Sequence, residues 1–301
     1  MQDHLVDKYL ETLETRYVEG IGFANQPRGE HRPDATCWSI LALEAAKTGS
    51  EVVRKGRQAL VAEQFPDGRV CISEEHKDAC WPTALAILAW KGSALYEDAR
   101  QKAIHFLLEF DEVRTTEDPK EIMGHDGTIR GWPWVAGTHP WVEPTALALM
   151  AFRVSGYAAH SRTQDALRLL IDRQLSEGGW NYGNTTVFGQ ELRPMPETTG
   201  LALQAICGLV PSKQVEKSIS YLHTQLPSLC TPLALAWAIL GLNAWDEKVE
   251  GQSELLTKVL ARHQEYGPYD TVSLGALLFA WHAENGLIHF LEQSGQRSQI
   301  S

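Results

Sequence analysis

The chain has 301 residues, of which 44% are apolar and 22% are charged, and its formal net charge at pH 7 is -11. This balance is ordinary for a globular protein with a large core. An acidic chain without a basic run is poorly suited to bind a phosphate backbone, so nucleic acid is excluded as an expected partner.

The cysteines and the apolar runs bear on the compartment. The five cysteines include no CxxC pair, which predicts reduced thiols rather than a disulfide framework. The N-terminal residues lack the basic and apolar regions of a signal peptide. The longest apolar runs, such as 233–242, are much shorter than the ~20 residues that span a bilayer. We therefore expect a soluble, cytoplasmic protein, and peripheral membrane contact stays open.

Six segments along the chain are rich in Ala and Leu, nearly free of charge, and begin close to a Thr or a Pro. Cap residues and a first-turn Pro are typical of helix starts. A helix that is apolar on every face has to be enclosed by other helices. The sequence therefore predicts six buried helices, which begin at Asp34, Cys80, Glu143, Glu197, Cys230 and Asp270.

Charged, amphipathic segments lie between the buried ones. The clearest is 212–226, where Val215, Ile219, Leu222 and Leu226 recur at intervals of four, three and four. Such a stripe packs one helix face inward and leaves the other in water. We assign five more segments of this kind, at about 5–18, 51–64, 95–110, 163–175 and 253–264.

Six buried helices that alternate with six amphipathic ones predict an all-α fold, an (α/α)6 toroid formed by residues 1–301 as a single domain. An open solenoid also stacks helix pairs, but its helices would be similarly amphipathic. A closed ring places the N-termini of all six inner helices at one end. The longest connections, about 111–140 and 176–196, run into Glu143 and Glu197, and long loops in compact domains are usually functional.

The segment from Gln174 to Gly183, with Gly178-Gly179-Trp180, resembles the QW repeat of the squalene–hopene cyclase and protein prenyltransferase superfamily. Weaker copies begin at Gln64 and Gln264, and the resemblance covers about residues 33–282. It implies a toroid whose inner ring surrounds an apolar cavity for isoprenoids. The expected ligand is accordingly a small apolar, isoprenoid-like molecule.

The sequence also departs from that superfamily. It has no DxDD motif, the acid of relatives that cyclise by protonation, and no DDxxD motif for a metal–diphosphate complex. Pro33-Asp34 and Pro196-Glu197 stand nearest to the DxDD position, with one carboxylate each. Asp78 and Cys80 resemble the DxC zinc ligands of the prenyltransferases, with His139 as a third ligand, and such a set could leave a fourth zinc position open. No other cofactor is expected.

Five acidic residues stand at or just before inner-helix starts: Asp34, Asp78, Glu143, Glu197 and Asp270. Capping and the helix dipole explain most of them, at about 0.3–1 kcal/mol each. Glu is a poorer cap than Asp, so Glu143 and Glu197 are the principal candidates for a catalytic acid, with Asp34 as a third. A catalytic acid needs its pKa raised by apolar surroundings, which Trp141 and Pro144 could supply to Glu143.

Ten tryptophans are more than a chain of this length usually has. Aromatic faces stabilise cations and stack on sugar rings, but they also fill cores. We assign as candidate substrate-binding residues the loop tryptophans Trp132, Trp134, Trp141 and Trp180, the inner-helix tryptophans Trp38 and Trp81, and His139 and Asp270.

These residues leave three functions open. The first is a terpenoid cyclase-like or prenyltransferase-like protein that uses a glutamic acid and a Trp-lined cavity. The second is a carbohydrate-active hydrolase or lyase, whose two carboxyls would lie roughly 5–5.5 or 6.5–9.5 Å apart. The third is a non-catalytic module that binds a peptide or lipid at the mouth of the ring. The oligomeric state is not predicted.

Overall fold

The computed structural model describes residues 2–110 and 123–297. Within these residues the chain forms thirteen α-helices and two short β-hairpins. The helices are α1 (Gln2–Glu14), α2 (Pro33–Ala45), α3 (Ser50–Glu63), α4 (Pro82–Trp90), α5 (Glu97–Glu109), α6 (Val142–Val154), α7 (Ser161–Asp172), α8 (Pro196–Ile206), α9 (Ser212–Gln225), α10 (Pro232–Ala244), α11 (Gln252–Tyr266), α12 (Thr271–His282) and α13 (Gly286–Arg297).

The even-numbered helices α2 to α12 are the six predicted buried helices. Nearly every residue of α4, PTALAILAW, is buried, and the same holds for the Ala- and Leu-rich centres of the other five. Four of them begin with Pro as the first helical residue, where its missing N–H and fixed φ favour a helix start. The predicted capping by side chains occurs in α12, where Asp270 accepts a bond from the Ser273 N–H.

The odd-numbered helices α1 to α11 form the outer layer, as their one-sided patterns predict. In α7, for example, Ala166, Leu169 and Leu170 are buried while Gln164 is exposed to solvent. Such a helix is held mainly by the packing of its apolar face. Each outer helix contacts the inner helix that precedes or follows it in the sequence.

The inner helices close into a ring. Contacts run in order from α2 through α4, α6, α8 and α10 to α12, and α12 packs in turn against α2. The seam between α8 and α10 is especially close, because a Cβ on Gly200 would lie 2.1 Å from the Trp237 carbonyl oxygen. The (α/α)6 toroid predicted from the sequence is confirmed, and the open solenoid is excluded by the contact between α12 and α2.

Four inner helices hold the loop before them in the same way. A threonine in the first turns accepts, on Oγ1, a hydrogen bond from the backbone N–H of a buried loop residue. All four threonines are buried, and leaving such a donor unpaired would cost about 1–3 kcal/mol. The pairs are Phe23 to Thr36 at 2.9 Å, Val70 to Thr83 at 2.9 Å, Trp132 to Thr145 at 3.0 Å and Trp180 to Thr199 at 3.0 Å.

The QW-like segment joins neighbouring units of the ring. The Gln174 side chain donates to the Gln214 carbonyl and the Ser218 hydroxyl of α9, both at 3.0 Å. The indole of Trp180 is fully buried and donates to the Leu170 carbonyl at 2.6 Å. Gln64, at the first weaker copy, donates to the Ala99 carbonyl of α5 at 2.8 Å. These glutamines therefore tie one outer helix to the next.

Helix α13, which the sequence patterns did not predict, closes the end of the ring where the inner helices terminate. Its Leu287 N–H donates to the Gln204 side chain of α8 at 2.8 Å. Farther along, Ser294 packs within 3.4 Å of the Cβ position of Gly92, just after α4. Helix α13 also contacts α6 and α10. Among the described residues, α13 therefore covers the end of the ring opposite to the one where the inner helices begin.

The axis of the ring is occupied by aromatic side chains. Trp38 of α2 and Trp237 of α10 meet edge to face with ring centroids 5.4 Å apart, and Phe279 of α12 lies 6.2 Å from Trp38. All three are at most 3% exposed. Edge-to-face packing is a favourable geometry for such rings. The interior of the ring between α2, α10 and α12 is therefore filled by side chains.

Two short antiparallel hairpins precede inner helices on the open side. Strand β1 (Tyr17–Val18) pairs with β2 (Gly22–Phe23) before α2, and β3 (Thr186–Val187) pairs with β4 (Gln190–Glu191) before α8. The second hairpin lies in the predicted long connection 176–196. Part of the other long connection, 111–122, lies outside the described residues. No helix among those described is long and apolar enough to cross a membrane.

Candidate functional site

The open end of the ring, where α2, α4, α6, α8, α10 and α12 begin, is called the mouth. Closure of the ring brings together residues that are far apart in the sequence. Glu143 lies in the first turn of α6, Glu197 in the first turn of α8 and Asp34 in the first turn of α2. These are the three acids singled out as catalytic candidates, and the structure places all three at the mouth.

Glu143 has the most unusual environment of the three. Burial first, and then the negative charges of Glu197 and Asp34, together raise the pKa of its carboxyl to about 7. The positive end of the α6 dipole acts the other way, at up to about 1 kcal/mol, so burial and like charge dominate. A carboxyl with a pKa near neutrality can be protonated at pH 7 and still release its proton.

Glu197 is half-buried and is held by a tyrosine. The Tyr182 hydroxyl donates to Glu197 Oε1 at 3.1 Å. Tyr182 belongs to the loop before α8, and its carbonyl accepts a 2.9 Å bond from the Val142 N–H at the start of α6. Tyr182 therefore connects the helix that bears Glu143 to the carboxylate of Glu197.

A second tyrosine lies on the far side of Glu197. Tyr221 of α9 donates to the Pro194 carbonyl at 2.8 Å. Burial and the charge of Glu197 raise the pKa of Tyr221 to about 12, and burial followed by the same charge raises that of Tyr182. Both phenols therefore stay protonated at neutral pH and act as donors. The sequence reasoning missed both tyrosines, although Tyr182 is only two residues after Trp180 in the QW-like segment.

Asp34 differs from the two glutamates because its carboxylate is already engaged. It is 1% exposed and forms a forked ion pair with Arg32, with Nε to Oδ1 at 2.9 Å and Nη2 to Oδ2 at 2.6 Å. A bidentate pair of this kind occupies both carboxylate oxygens. Asp34 influences the site through its charge, which is one cause of the raised pKa of Glu143.

The candidate tryptophans separate into rim and core residues. Trp141 is half-buried beside Glu143 and lies against the exposed His139, with ring centroids 4.4 Å apart. Trp81 and Trp134 are also half-buried and meet edge to face at 5.0 Å. These four residues form an aromatic rim on one side of the mouth.

Trp132, Trp180 and Trp38, three of the candidate substrate-binding residues, are buried in the core and do not line the mouth. Trp132 is 4% exposed, donates to the Leu107 carbonyl at 3.2 Å and packs under the guanidinium of Arg162 at 4.1 Å. Trp180 is wholly buried and Trp38 is 3% exposed in the axis. A ligand at the mouth cannot reach these faces without repacking of the core.

Asp270 is engaged as a helix cap rather than aimed at the mouth. Its two carboxylate oxygens accept from the Ser273 N–H at 2.9 Å and the Ser273 hydroxyl at 2.8 Å. This is ordinary N-cap chemistry. Its predicted contact with substrate is therefore not supported by its position, because both oxygens already have partners.

The predicted zinc set is not assembled. Within residues 2–110 and 123–297, no three His, Cys, Asp or Glu side chains come together as metal ligands. Asp78 and His139 are exposed, whereas Cys80 is buried, and burial together with the neighbouring Cys71 raises the pKa of its thiol to about 12. Zinc binds the thiolate form, which this environment disfavours. Asp78, Cys80 and His139 therefore do not form a metal site within the described part of the chain.

An acidic groove lies beside the mouth and was not foreseen. It has a volume of about 430 Å³ and is lined by residues that include His31, Glu63, Phe65 and Glu74. His31 Nε2 contacts Glu63 Oε1 at 2.8 Å, and its Nδ1 lies 3.2 Å from the Phe23 carbonyl. The groove runs from the start of α2 to the end of α3 and includes the end of the predicted amphipathic segment 51–64.

Comparison with known proteins supports the fold and leaves the family open. No protein-family model matches the sequence, and no curated protein matches it. The fold class is that of α/α-toroid proteins, which the similar solved structures include.

The structure is similar to the type II terpene cyclase MstE from Scytonema, with a TM-score of 0.62, 15% identity, and coverage of 96% of this chain and 98% of that one. A protein from Actinoplanes gives a TM-score of 0.61 at 15% identity, covering 94% of this chain and 98% of that one. An alpha-amylase from Clostridium perfringens gives 0.60 at 10% identity, with the same coverage of 94% and 98%. These TM-scores show a shared fold, and at identities of 10–15% the comparison shows the fold alone.

Proposed function

We propose that this protein is a toroid enzyme that uses Glu143 as a general acid at the mouth of the ring. The observation that carries the proposal is the environment of the Glu143 carboxyl, in which burial and two neighbouring carboxylates raise its pKa to about 7. A structural acid near a helix N-terminus has the opposite tendency, because the dipole favours its ionised form. Raised carboxyl pKa values occur preferentially at functional sites.

The residues around Glu143 suit two further roles, a second carboxyl and aromatic stabilisation of positive charge. Glu197, oriented by the Tyr182 hydroxyl, is placed to act as the second carboxyl, as a base or as a stabiliser of positive charge. Trp141 and the exposed Tyr182 offer aromatic faces beside the two acids. Aromatic faces attract cations through their ring quadrupoles. The site can therefore donate a proton and stabilise the positive charge that results.

A carboxyl with a pKa near 7 suits protonation of an oxygen atom better than protonation of a carbon–carbon double bond, because proton transfer is most efficient between groups of similar basicity. The substrate class we favour is an apolar, isoprenoid-like molecule that carries an oxygen function. Because Trp38 and Trp237 fill the axis, the reacting end would lie at the mouth, against Trp141 and Tyr182.

A saccharide is the second candidate, and one observation favours it. The mouth presents two carboxyls, and glycoside hydrolysis requires one protonated acid and one second carboxylate. The similarity to an alpha-amylase at 10% identity carries only the fold and adds nothing to this argument. Identification of the substrate would decide between the two classes.

The test is a mass-spectrometric screen of isoprenoid alcohols, epoxides and diphosphates and of oligosaccharides, with the unvaried protein and three variants. We expect turnover of one class, its loss in Glu143→Gln, and its retention in Glu177→Gln, an exposed glutamate on the outer surface. The rate should fall as the pH rises through about 7, because Glu143 then loses its proton. Full turnover by Glu143→Gln would overturn the assignment. A large loss with Tyr182→Phe would support the placement of Glu197.

A further inference from the structure

A second polar cluster lies away from Glu143, where α1, α11 and α12 meet. Its centre is Arg16, just after α1, which is 4% exposed. The guanidinium is anchored on one side only, because Nη1 donates to the Thr271 hydroxyl at 2.9 Å. Thr271 in turn donates to the Ala24 carbonyl, and its N–H donates to the Asn25 carbonyl at 2.8 Å. These bonds fix the guanidinium between α12 and the chain before α2.

The other donors of Arg16 have no partner. Among the described residues, neither Nε nor Nη2 makes a hydrogen bond. Asp270 is near enough to affect the pKa of Arg16, but both its oxygens are bonded to Ser273. A buried charge without a paired countercharge is unfavourable by several kcal/mol. The two free donors therefore call for an acceptor that the described residues do not provide.

A third free donor, the Tyr9 hydroxyl, belongs to the same cluster. Tyr9 of α1 is 2% exposed, and its hydroxyl also lacks a partner among the described residues. Its ring contacts His263 at 5.0 Å, and His263 contacts Tyr269 at 5.4 Å. His263 accepts the Tyr269 N–H on Nδ1, and it feels the charge of Arg16, which with burial lowers its pKa. His263 is therefore neutral at pH 7 and adds no positive charge to the cluster.

We infer that the Arg16 cluster binds a small oxyanion, a carboxylate or a phosphate group, between α1, α11 and α12. The guanidinium offers Nε and Nη2, the two-donor fork that matches two oxygens of such a group. The Tyr9 hydroxyl adds a neutral donor. Asn25, whose Oδ1 is buried and without a partner, can turn its amide to offer N–H groups instead. Asn25 and His263 are half-buried, so the cluster meets solvent beside them.

The inference does not depend on the proposed function, because it uses none of the residues around Glu143. It can be tested with the purified protein by isothermal titration calorimetry and thermal unfolding at constant ionic strength. Inorganic phosphate, sodium acetate and sodium chloride are the three titrants. We expect a saturable signal with phosphate, acetate or both, and none with chloride. A saturable signal with phosphate alone indicates a phosphate-bearing ligand, and a saturable signal with acetate alone indicates a carboxylate ligand.

Two variants locate the binding. Arg16→Gln should abolish the signal, whereas Arg54→Gln should retain it, since Arg54 is an exposed arginine already paired with Glu51. Tyr9→Phe removes one hydroxyl with little change of volume and should weaken binding about tenfold, the effect of one hydrogen bond to a charged group. If Arg16→Gln does not fold, Tyr9→Phe decides. Equal behaviour of all three salts, or unchanged affinity in both Arg16→Gln and Tyr9→Phe, would overturn the inference and assign the free donors to water.

Discussion

Replacing Glu143 by Gln should stabilise the protein at alkaline pH. The pKa of this carboxyl is about 7 in the folded protein, against an ordinary value of 4.5. The folded state therefore binds more protons than the unfolded state between these two pH values. In that window the free energy of unfolding falls as the pH rises, and above pH 7 the loss is complete.

The magnitude follows from the same two values. The difference between the two pKa values corresponds to about 3 kcal/mol in the free energy of unfolding. Glu143 is half-buried, so solvent screening reduces the expected figure to about 1–2 kcal/mol. Glutamine is nearly isosteric and uncharged, and it escapes the repulsion by Glu197 and Asp34. We expect the free energy of unfolding of Glu143→Gln to exceed that of the unvaried protein by this amount at pH 8.5. At pH 5 the two free energies should be almost equal.

Urea unfolding at pH 5, 7 and 8.5, followed by circular dichroism, measures the difference directly. Glu177→Gln is the matched control, because the Glu177 side chain is 87% exposed and its replacement should give a small difference that does not vary with pH. A variant that is less stable than the unvaried protein at pH 8.5 would refute the reasoning, as would a gain that stays constant across the three pH values. Either result would mean that burial and like charge do not control this carboxyl.

Three further changes test the fold itself by urea unfolding. Gly200→Ala should lose about 3 kcal/mol or more, since the new Cβ would lie 2.1 Å from the Trp237 carbonyl oxygen. Thr199→Val should lose about 1–3 kcal/mol, because the buried Trp180 N–H loses its acceptor. Phe188→Gly should gain about 1 kcal/mol, since Phe188 is wholly exposed at a hairpin tip with φ of 51°.

Each of these expectations has a clear contrary outcome. A wild-type stability for Gly200→Ala would mean that α8 and α10 can separate without loss. A neutral Thr199→Val would show that the repeated loop anchor is dispensable at this unit. A destabilised Phe188→Gly would indicate that the exposed ring makes contacts in solution that outweigh its backbone strain.

The ring could be predicted because its signals are local. Pro and Thr before Ala- and Leu-rich runs define the inner helices, and the charged stripes define the outer ones. Helix α13 lacks a recognisable start motif and follows directly on an inner helix. Its position depends on a non-local contact, the hydrogen bond from the Leu287 N–H to the Gln204 side chain of α8.

The site was predictable in position but not in chemistry. The mouth acids follow from the ring, because all inner helices begin at one end. The pairing of Asp34 with Arg32 and of Glu197 with Tyr182 depends on how loops fold back. Burial separated the tryptophans for the same reason: Trp132 and Trp141 stand nine residues apart in one loop, yet one is core and the other is rim.

Helix α13 has a consequence for how any ligand moves. With α13 across one end and Trp38 against Trp237 in the axis, the ring is a cup rather than a tunnel. A polymer cannot thread through it, so a long chain could present only a terminus or a loop to Glu143. Any ligand of the ring interior would then enter and leave through the mouth, so the release of one molecule would compete with the binding of the next.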